Sequence, residues 1–213
     1  MKKAIKLFLY IILCFIPTVL SAQMLIVCAP EFADEMKPFI QWKTQKGMKV
    51  ELITMDKIGS TAAELKNYVA DYYKKNNNRY LLLVGDAEQI PVHFCYEITK
   101  PDPNTAYSDA EYGYISSDEY PPSVLVGRFS AKTTEDVRTQ VERVIYYERD
   151  IDESATWLEN SIGIADPSSN EKGDNDETDI QHIRTINDIL KDNNYTTYEI
   201  SKKNDLVEQL DKG

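Results

Sequence analysis

The five residues Tyr80–Val84, YLLLV, constrain this chain most: they form an unbroken apolar run with no polar alternation. A strand of this kind is buried on both faces, as in the middle of a parallel sheet. Gly85 stops the run, Asp86 follows it, and Ile90-Pro91 close a loop. In open α/β sheets, sites collect beyond the carboxyl ends of the strands, so Asp86 is the first carboxylate to weigh for chemistry. The competing reading, and the commoner use of Asp, is to cap a turn.

Around this strand a pattern repeats. Met24–Cys28 is an apolar strand, and Phe32, Met36, Phe39 and Ile40 follow at helical spacing. Pro38 forces that helix to start late, and Gly47 stands where a left-handed C-terminal residue belongs. Lys49–Thr54 alternates as a strand should. Thr61 and Glu64 form a capping box ahead of Leu65, Tyr68, Val69 and Tyr72. The β-α-β-α-β string with short connections predicts an α/β fold, a parallel, doubly wound sheet with helices on both faces. Residues 85–123 are irregular, with strand-like pieces at His93–Ile98 and Tyr112–Ile115. Val124–Val126 reads as a buried strand ended by Gly127-Arg128-Phe129. Thr133–Asp136 opens a helix whose apolar face is Val137, Val141, Val144 and Ile145.

Asp150–Ala155 is a polar joint, after which Trp157-Leu158 pack the chain into a second unit. Ser161–Ala165 reads as a strand and Asp179–Asn193 as a helix with Ile183, Ile186 and Leu190 inward. Thr196–Ile200 is a further strand and Asn204–Asp211 a short helix. Such a run hands over to another parallel strand, so the second unit reads as cut short. The expected organisation is a leader over 1–22, a first α/β subdomain over 23–155, and the start of a second over 156–213.

The leader has a basic start at Lys2, Lys3 and Lys6, an apolar core from Leu7 to Leu20, and a small-residue exit at Ser21-Ala22. This is the pattern of a secretory signal peptide. Its core of about 14 residues is shorter than the roughly 20 a membrane-spanning helix needs. Secretion, with no transmembrane segment in the mature chain, is the expectation. Losing the three lysines takes the formal net charge from −11 to −14. So acidic a chain is not built to hold nucleic acid through phosphates, whereas calcium binding stays open. Cys28 and Cys95 remain, too few for a disulfide framework, and both sit in or beside apolar runs as buried thiols would.

No complete catalytic set emerges from these residues. His93 and Cys95 share one face of an extended strand, but lie roughly 6–7 Å apart at strand rise, too far for a nucleophile–base hydrogen bond. His182 is the other histidine. No Cys/His group has zinc spacing. The acidic run Asp174–Asp179 fails as an EF-hand, since its sixth residue is Asp179 and its twelfth Thr185.

Several stretches resemble the catalytic domain of gingipain-type cysteine endopeptidases, secreted enzymes with a caspase-like α/β fold. They are Phe39–Lys43 with Gln45–Gly47, Tyr80–Asp86 with Ile90-Pro91, Ser108-Asp109 with Tyr112-Gly113, and Val126–Ser130. Tyr147–Arg149, Trp157-Leu158 and Glu177–His182 complete the set in family order. The resemblance implies a two-part catalytic domain acting on protein or peptide substrates, with no cofactor required. It also implies that the catalytic Cys and His lie beyond residue 213, so that Cys28, Cys95, His93 and His182 are not the dyad and the chain alone is inactive. Asp179 matches the carboxylate that lines the pocket for the substrate residue before the cut bond in arginine-specific members. A plain N-cap is the competing role, and the two are compatible. The family's Glu near the catalytic His falls at Ser168 by ungapped register, with Asp166 or Glu171 as substitutes if the loop shifts. A non-catalytic secreted binding module is the alternative reading. A flavodoxin-like binding domain is a third, resting on β-α periodicity alone.

Overall fold

The computed structural model describes residues 23–94, 107–116, 121–152, 154–166, 168, 172–173, 176–201 and 203–212. The leader, Cys95, Glu171 and Asp174 therefore lie outside the described residues. The chain divides into two compact units between Asp150 and Ile151.

The first unit is a four-stranded parallel sheet. Its strands are β1 (Gln23–Cys28), β2 (Lys49–Thr54), β3 (Tyr80–Val84) and β6 (Leu125–Phe129), in the order β2-β1-β3-β6. The apolar run thus forms an inner strand, with β1 on one side and β6 on the other. All of β1 is buried, as are Leu81 to Val84. Successive side chains on β1 enter opposite layers. Met24, Ile26 and Cys28 join Phe39 of α1 (Lys37–Gln45) and Val137 and Val141 of α3 (Thr134–Ile145). Leu25 and Val27 join Leu65, Val69 and Tyr72 of α2 (Ala62–Asn76). Helices therefore cover both faces. Each fully buried Leu, Ile or Val contributes ~1.5–3 kcal/mol, so these two layers carry most of the unit's stability.

The helix ends follow their sequence signals. Gly47 lies at φ +84°, its amide bonded to Thr44 O at 2.9 Å while Met48 N reaches Lys43 O at 3.0 Å. That pair of bonds satisfies the last carbonyls of α1 and needs a left-handed residue. Thr61 and Glu64 make a reciprocal capping box on α2, and Thr133 and Asp136 one on α3.

Two expected boundaries fail. The strand after the irregular segment does not stop at Gly127; it runs through Arg128 to Phe129, because Leu82 to Val84 continue to pair with those residues. Tyr112–Ile115 is not a strand: Asp109–Gly113 is a 3-10 turn, and the buried Tyr112 ring fixes it by donating its hydroxyl to Pro91 O at 2.6 Å. Of the piece at His93–Ile98, β4 (His93–Phe94) pairs antiparallel with β5 (Tyr107–Ser108), and the rest lies outside the described residues.

After α3 the chain widens into a π turn over Tyr146–Asp150. Glu148 fixes it against α1: its carboxylate accepts Lys43 Nζ at 2.5 Å, Lys46 Nζ at 3.0 Å and Trp42 Nε1 at 3.0 Å. Burial alone would raise the Glu148 pKa, but these three donors outweigh it and hold it down to about 2.

The second unit pairs β7 (Asn160–Ile164) and β8 (Thr196–Ile200) in parallel, with α4 (Asp179–Asp192) between them and α5 (Lys203–Lys212) after. The inward face of α4 differs from the expected one. Asn187 is buried while Ile186 is 39% exposed. Gly163 explains this: a Cβ there would meet Ile183 Cγ2 at 2.5 Å and the Asn187 amide at 3.2 Å. Ile183 and Asn187, four residues apart, share the stripe that lies on the strand. Trp157 and Leu158, expected to be packed, are 39% and 38% exposed in a 3-10 turn.

Candidate functional site

In the first unit the carboxyl ends of the strands gather Cys28, Gly85-Asp86 and Phe129-Ser130. Asp86 is a turn residue. Its Oδ1 accepts the Ala87 amide at 2.9 Å and Ser130 Oγ at 3.3 Å, while Lys132 Nζ stands 3.5 Å from Oδ2. The Ala87 amide is the main reason the carboxyl sits below its ordinary pKa. Its own amide and carbonyl tie the loop to Ala131 and Ile90. A carboxylate held by three neighbours in this way organises a loop.

Arg128 does more here than sequence reasoning foresaw. Its Nε and Nη2 grip both oxygens of Asp109 at 2.7 Å, and Nη1 donates to Gly85 O at 2.9 Å and Ile90 O at 3.1 Å. The side chain is only 11% exposed. One guanidinium thus joins the loop after β3 to the 3-10 turn at Asp109, the bidentate use for which Arg is suited and Lys is not. Both residues lie in resembling stretches, but nothing in the sequence signals that positions 19 apart are paired.

Cys28 is completely buried and its Sγ contacts Ala29 O at 3.1 Å. Burial, with the charge of Glu31 second, pushes the thiol up to about 12. A thiol in that state supplies almost no thiolate at neutral pH and is no nucleophile. The His93 ring packs edge-on against Tyr112, with centroids 5.9 Å apart. Among the described residues, no three or more His, Cys, Asp or Glu are placed to hold a metal ion. No helix among them is long and apolar enough to cross a membrane.

In the second unit the region beyond β7 carries the remaining candidates. Asp166 Oδ1 accepts both the amide and the hydroxyl of Ser168, at 2.8 and 2.7 Å. The Ser168 hydroxyl is the main cause of the lowered Asp166 pKa. Asp179 is not the N-cap of α4. Thr178 is: its Oγ accepts the Gln181 amide at 3.4 Å, and Gln181 Oε1 accepts the Thr178 amide at 2.8 Å. The box takes Thr178 because its hydroxyl lies three residues before Gln181, which can answer it. Asp179 is therefore the first helical residue. It is exposed, and its carboxylate has no hydrogen bond or ion pair among the described residues. Beside it His182 Nδ1 lies 2.6 Å from Glu177 Oε1. The histidine is thus paired with a carboxylate and not with a thiol.

The sequence model described as peptidase family C25 matches residues 18–213. Gingipain R2 of Porphyromonas gingivalis is 34% identical over 180 residues, which are 83% of this chain and 23% of that protein. Lys-gingipain of the same organism is 27% identical over 157 residues, 69% of this chain and 8% of that one. The crystal structure of the Arg-specific cysteine proteinase gingipain R superposes with a TM-score of 0.73 at 34% identity, covering 85% of this chain and 41% of that chain. The chain thus spans about a quarter of the length of gingipain R2 and under half of the solved gingipain R chain.

Proposed function

This chain belongs to peptidase family C25, a family of cysteine peptidases, and from that premise we propose that it is the amino-terminal part of a gingipain-like endopeptidase catalytic domain that prefers Arg before the scissile bond. The observation that carries the preference is the state of Asp179. The cap of α4 is supplied by Thr178, which leaves the Asp179 carboxylate exposed and without a partner among the described residues. A lone carboxylate at the first turn of a helix lies beside the positive end of the helix dipole. It is therefore suited to meet a substrate guanidinium with two parallel hydrogen bonds.

The chemistry is thiolate attack on the peptide carbonyl, with a histidine taking and returning the proton. Cys28 does not supply the thiolate, being buried and held protonated. In this reading the nucleophile and its histidine come from the part of the family fold that this chain does not span. Residues 23–213 supply the scaffold and the specificity carboxylate. Delivery to the cell exterior by the leader at 1–22, and a calcium ion near the acid-rich segment before α4, are further parts of the proposal.

The test is Asp179→Asn in a polypeptide that joins these residues to a complete catalytic set. The expected outcome is a fall in kcat/KM for arginyl reporters of at least about tenfold, or ~1.4 kcal/mol, with the fold unchanged by circular dichroism. Unaltered turnover of both arginyl and lysyl reporters would discard the assignment.

A further inference from the structure

Two carboxylates compete for one imidazole at the start of α4. Thr178 is the N-cap and Gln181 the third helical residue, so Asp179 is the first and His182 the fourth. Residues three apart on a helix share a face, with Cβ atoms about 5–6 Å apart, which puts the ring within reach of Asp179. Glu177 stands just before the cap. A side chain there meets the fourth helical residue across the first turn, the arrangement that a hydrophobic staple uses. The ring therefore has two acceptors to choose from, and the structure shows the choice. His182 Nδ1 lies 2.6 Å from Glu177 Oε1, and Asp179 is left exposed. A carboxylate oxygen accepts, so the ring donates through Nδ1.

Glu177 is the fixed member of the pair. Its side chain is 21% exposed, against 57% for His182. Its carbonyl accepts the Gly173 amide at 2.9 Å, and the Gly173 carbonyl accepts the Asp176 amide at 3.0 Å. Two nearby cations are also taken. Lys172 Nζ donates to Asp176 Oδ1 at 2.7 Å, and Arg184 grips both oxygens of Glu199 at 2.9 Å. Three and four residues after Asp179 stand His182 and Ile183, so the imidazole is the one donor side chain at those positions.

We propose that Glu177 is a positioning residue for the specificity carboxylate: by holding the His182 imidazole it keeps Asp179 open to a substrate guanidinium. This deepens the assignment of Asp179 and rests on it for its link to Arg preference. Without the Glu177 carboxylate, the ring turns to the other acceptor on its own face. It then occupies the Asp179 oxygens that a guanidinium needs for two parallel bonds. The loss falls on substrate binding and not on bond cleavage, because the reacting atoms are untouched. Deleting the ring as well removes the competitor and reopens Asp179. A residue that merely held the helix start together would not be compensated by losing its partner.

The test has two readouts. The first is the His182 ring resonances of the whole chain by NMR, told apart from those of His93 by His182→Ala. In the Glu177→Ala chain, adding Asp179→Asn moves these resonances at least about threefold further than Asp179→Asn moves them when Glu177 is present. The second is hydrolysis of arginyl reporters by the polypeptide that joins these residues to a complete catalytic set. Glu177→Ala raises KM about two- to fivefold, the strength of an exposed ion pair, and leaves kcat unchanged. Glu177→Ala combined with His182→Ala brings KM back to within about 1.5-fold of the parent. Two results overturn the proposal: ring resonances that answer to Asp179→Asn equally with and without Glu177, or a double variant whose KM stays raised. Resonances as expected, with arginyl turnover indifferent to Asp179→Asn, would uphold the hold on the ring and discard the pocket instead.

Discussion

Glu148 gives the sharpest energetic prediction, because three donors, two from α1 and one from its C-cap Lys46, converge on its carboxylate. Lys43, Lys46 and Trp42 hold its pKa at about 2, against an ordinary 4.5. At ~1.36 kcal/mol per pKa unit the lowering corresponds to about 3 kcal/mol as an upper bound. The carboxylate is 22% exposed and Lys46 is 46% exposed, so solvent screening reduces the net contribution to about 1–2 kcal/mol. The sign follows from the direction. A carboxylate whose folded pKa is depressed stabilises the fold above its unfolded pKa, and this is lost as pH falls from 4.5 toward 2. Glu148→Gln removes the charge but keeps an acceptor for Trp42. Urea denaturation of the two proteins should differ by about 1–2 kcal/mol at pH 7, the variant being weaker, and the gap should narrow steadily below pH 4.5. Equal stability at pH 7, or a gap that stays constant from pH 7 to 3, would refute the reasoning.

Other outcomes follow from the same geometry. Arg128→Lys keeps the charge but cannot hold Asp109 and two carbonyls together, so it should destabilise the chain by about 2–4 kcal/mol in urea denaturation; a loss below ~0.5 kcal/mol would show the fork to be dispensable. Cys28 should resist iodoacetamide at pH 8 in the folded chain and react on unfolding, as read by peptide mass mapping. Rapid labelling in the folded state would contradict its burial.

The elements legible in the sequence were those fixed by local rules. The apolar run at Tyr80–Val84 announced an inner strand, Thr61 with Glu64 announced a helix start, and Gly47 announced a helix end. Each depends on residues within a few positions of one another. What stayed hidden was decided by partners far along the chain. Gly127 and Arg128 look like a strand end, yet they continue β6 because Leu82 and Leu83 pair with them. Tyr112 looks like a strand residue, yet its hydroxyl finds Pro91 O and its ring the core. Glu148 and Trp42 are 106 residues apart. At the candidate site, only the resemblance points to Asp179, and its freedom from the cap was not legible, since Thr178 and Asp179 both qualify as caps by residue type. The buried state of Cys28 was readable from its apolar neighbours, because burial and not chemistry sets its environment.

The most direct measurement is hydrolysis of arginyl and lysyl reporter peptides by the purified chain under reducing conditions, with and without prior alkylation. A scaffold whose described cysteine is buried and protonated should release no product above the buffer control in either sample. Product formation that alkylation abolishes, with contaminating proteases excluded, would mean that a working thiol is assembled within these residues.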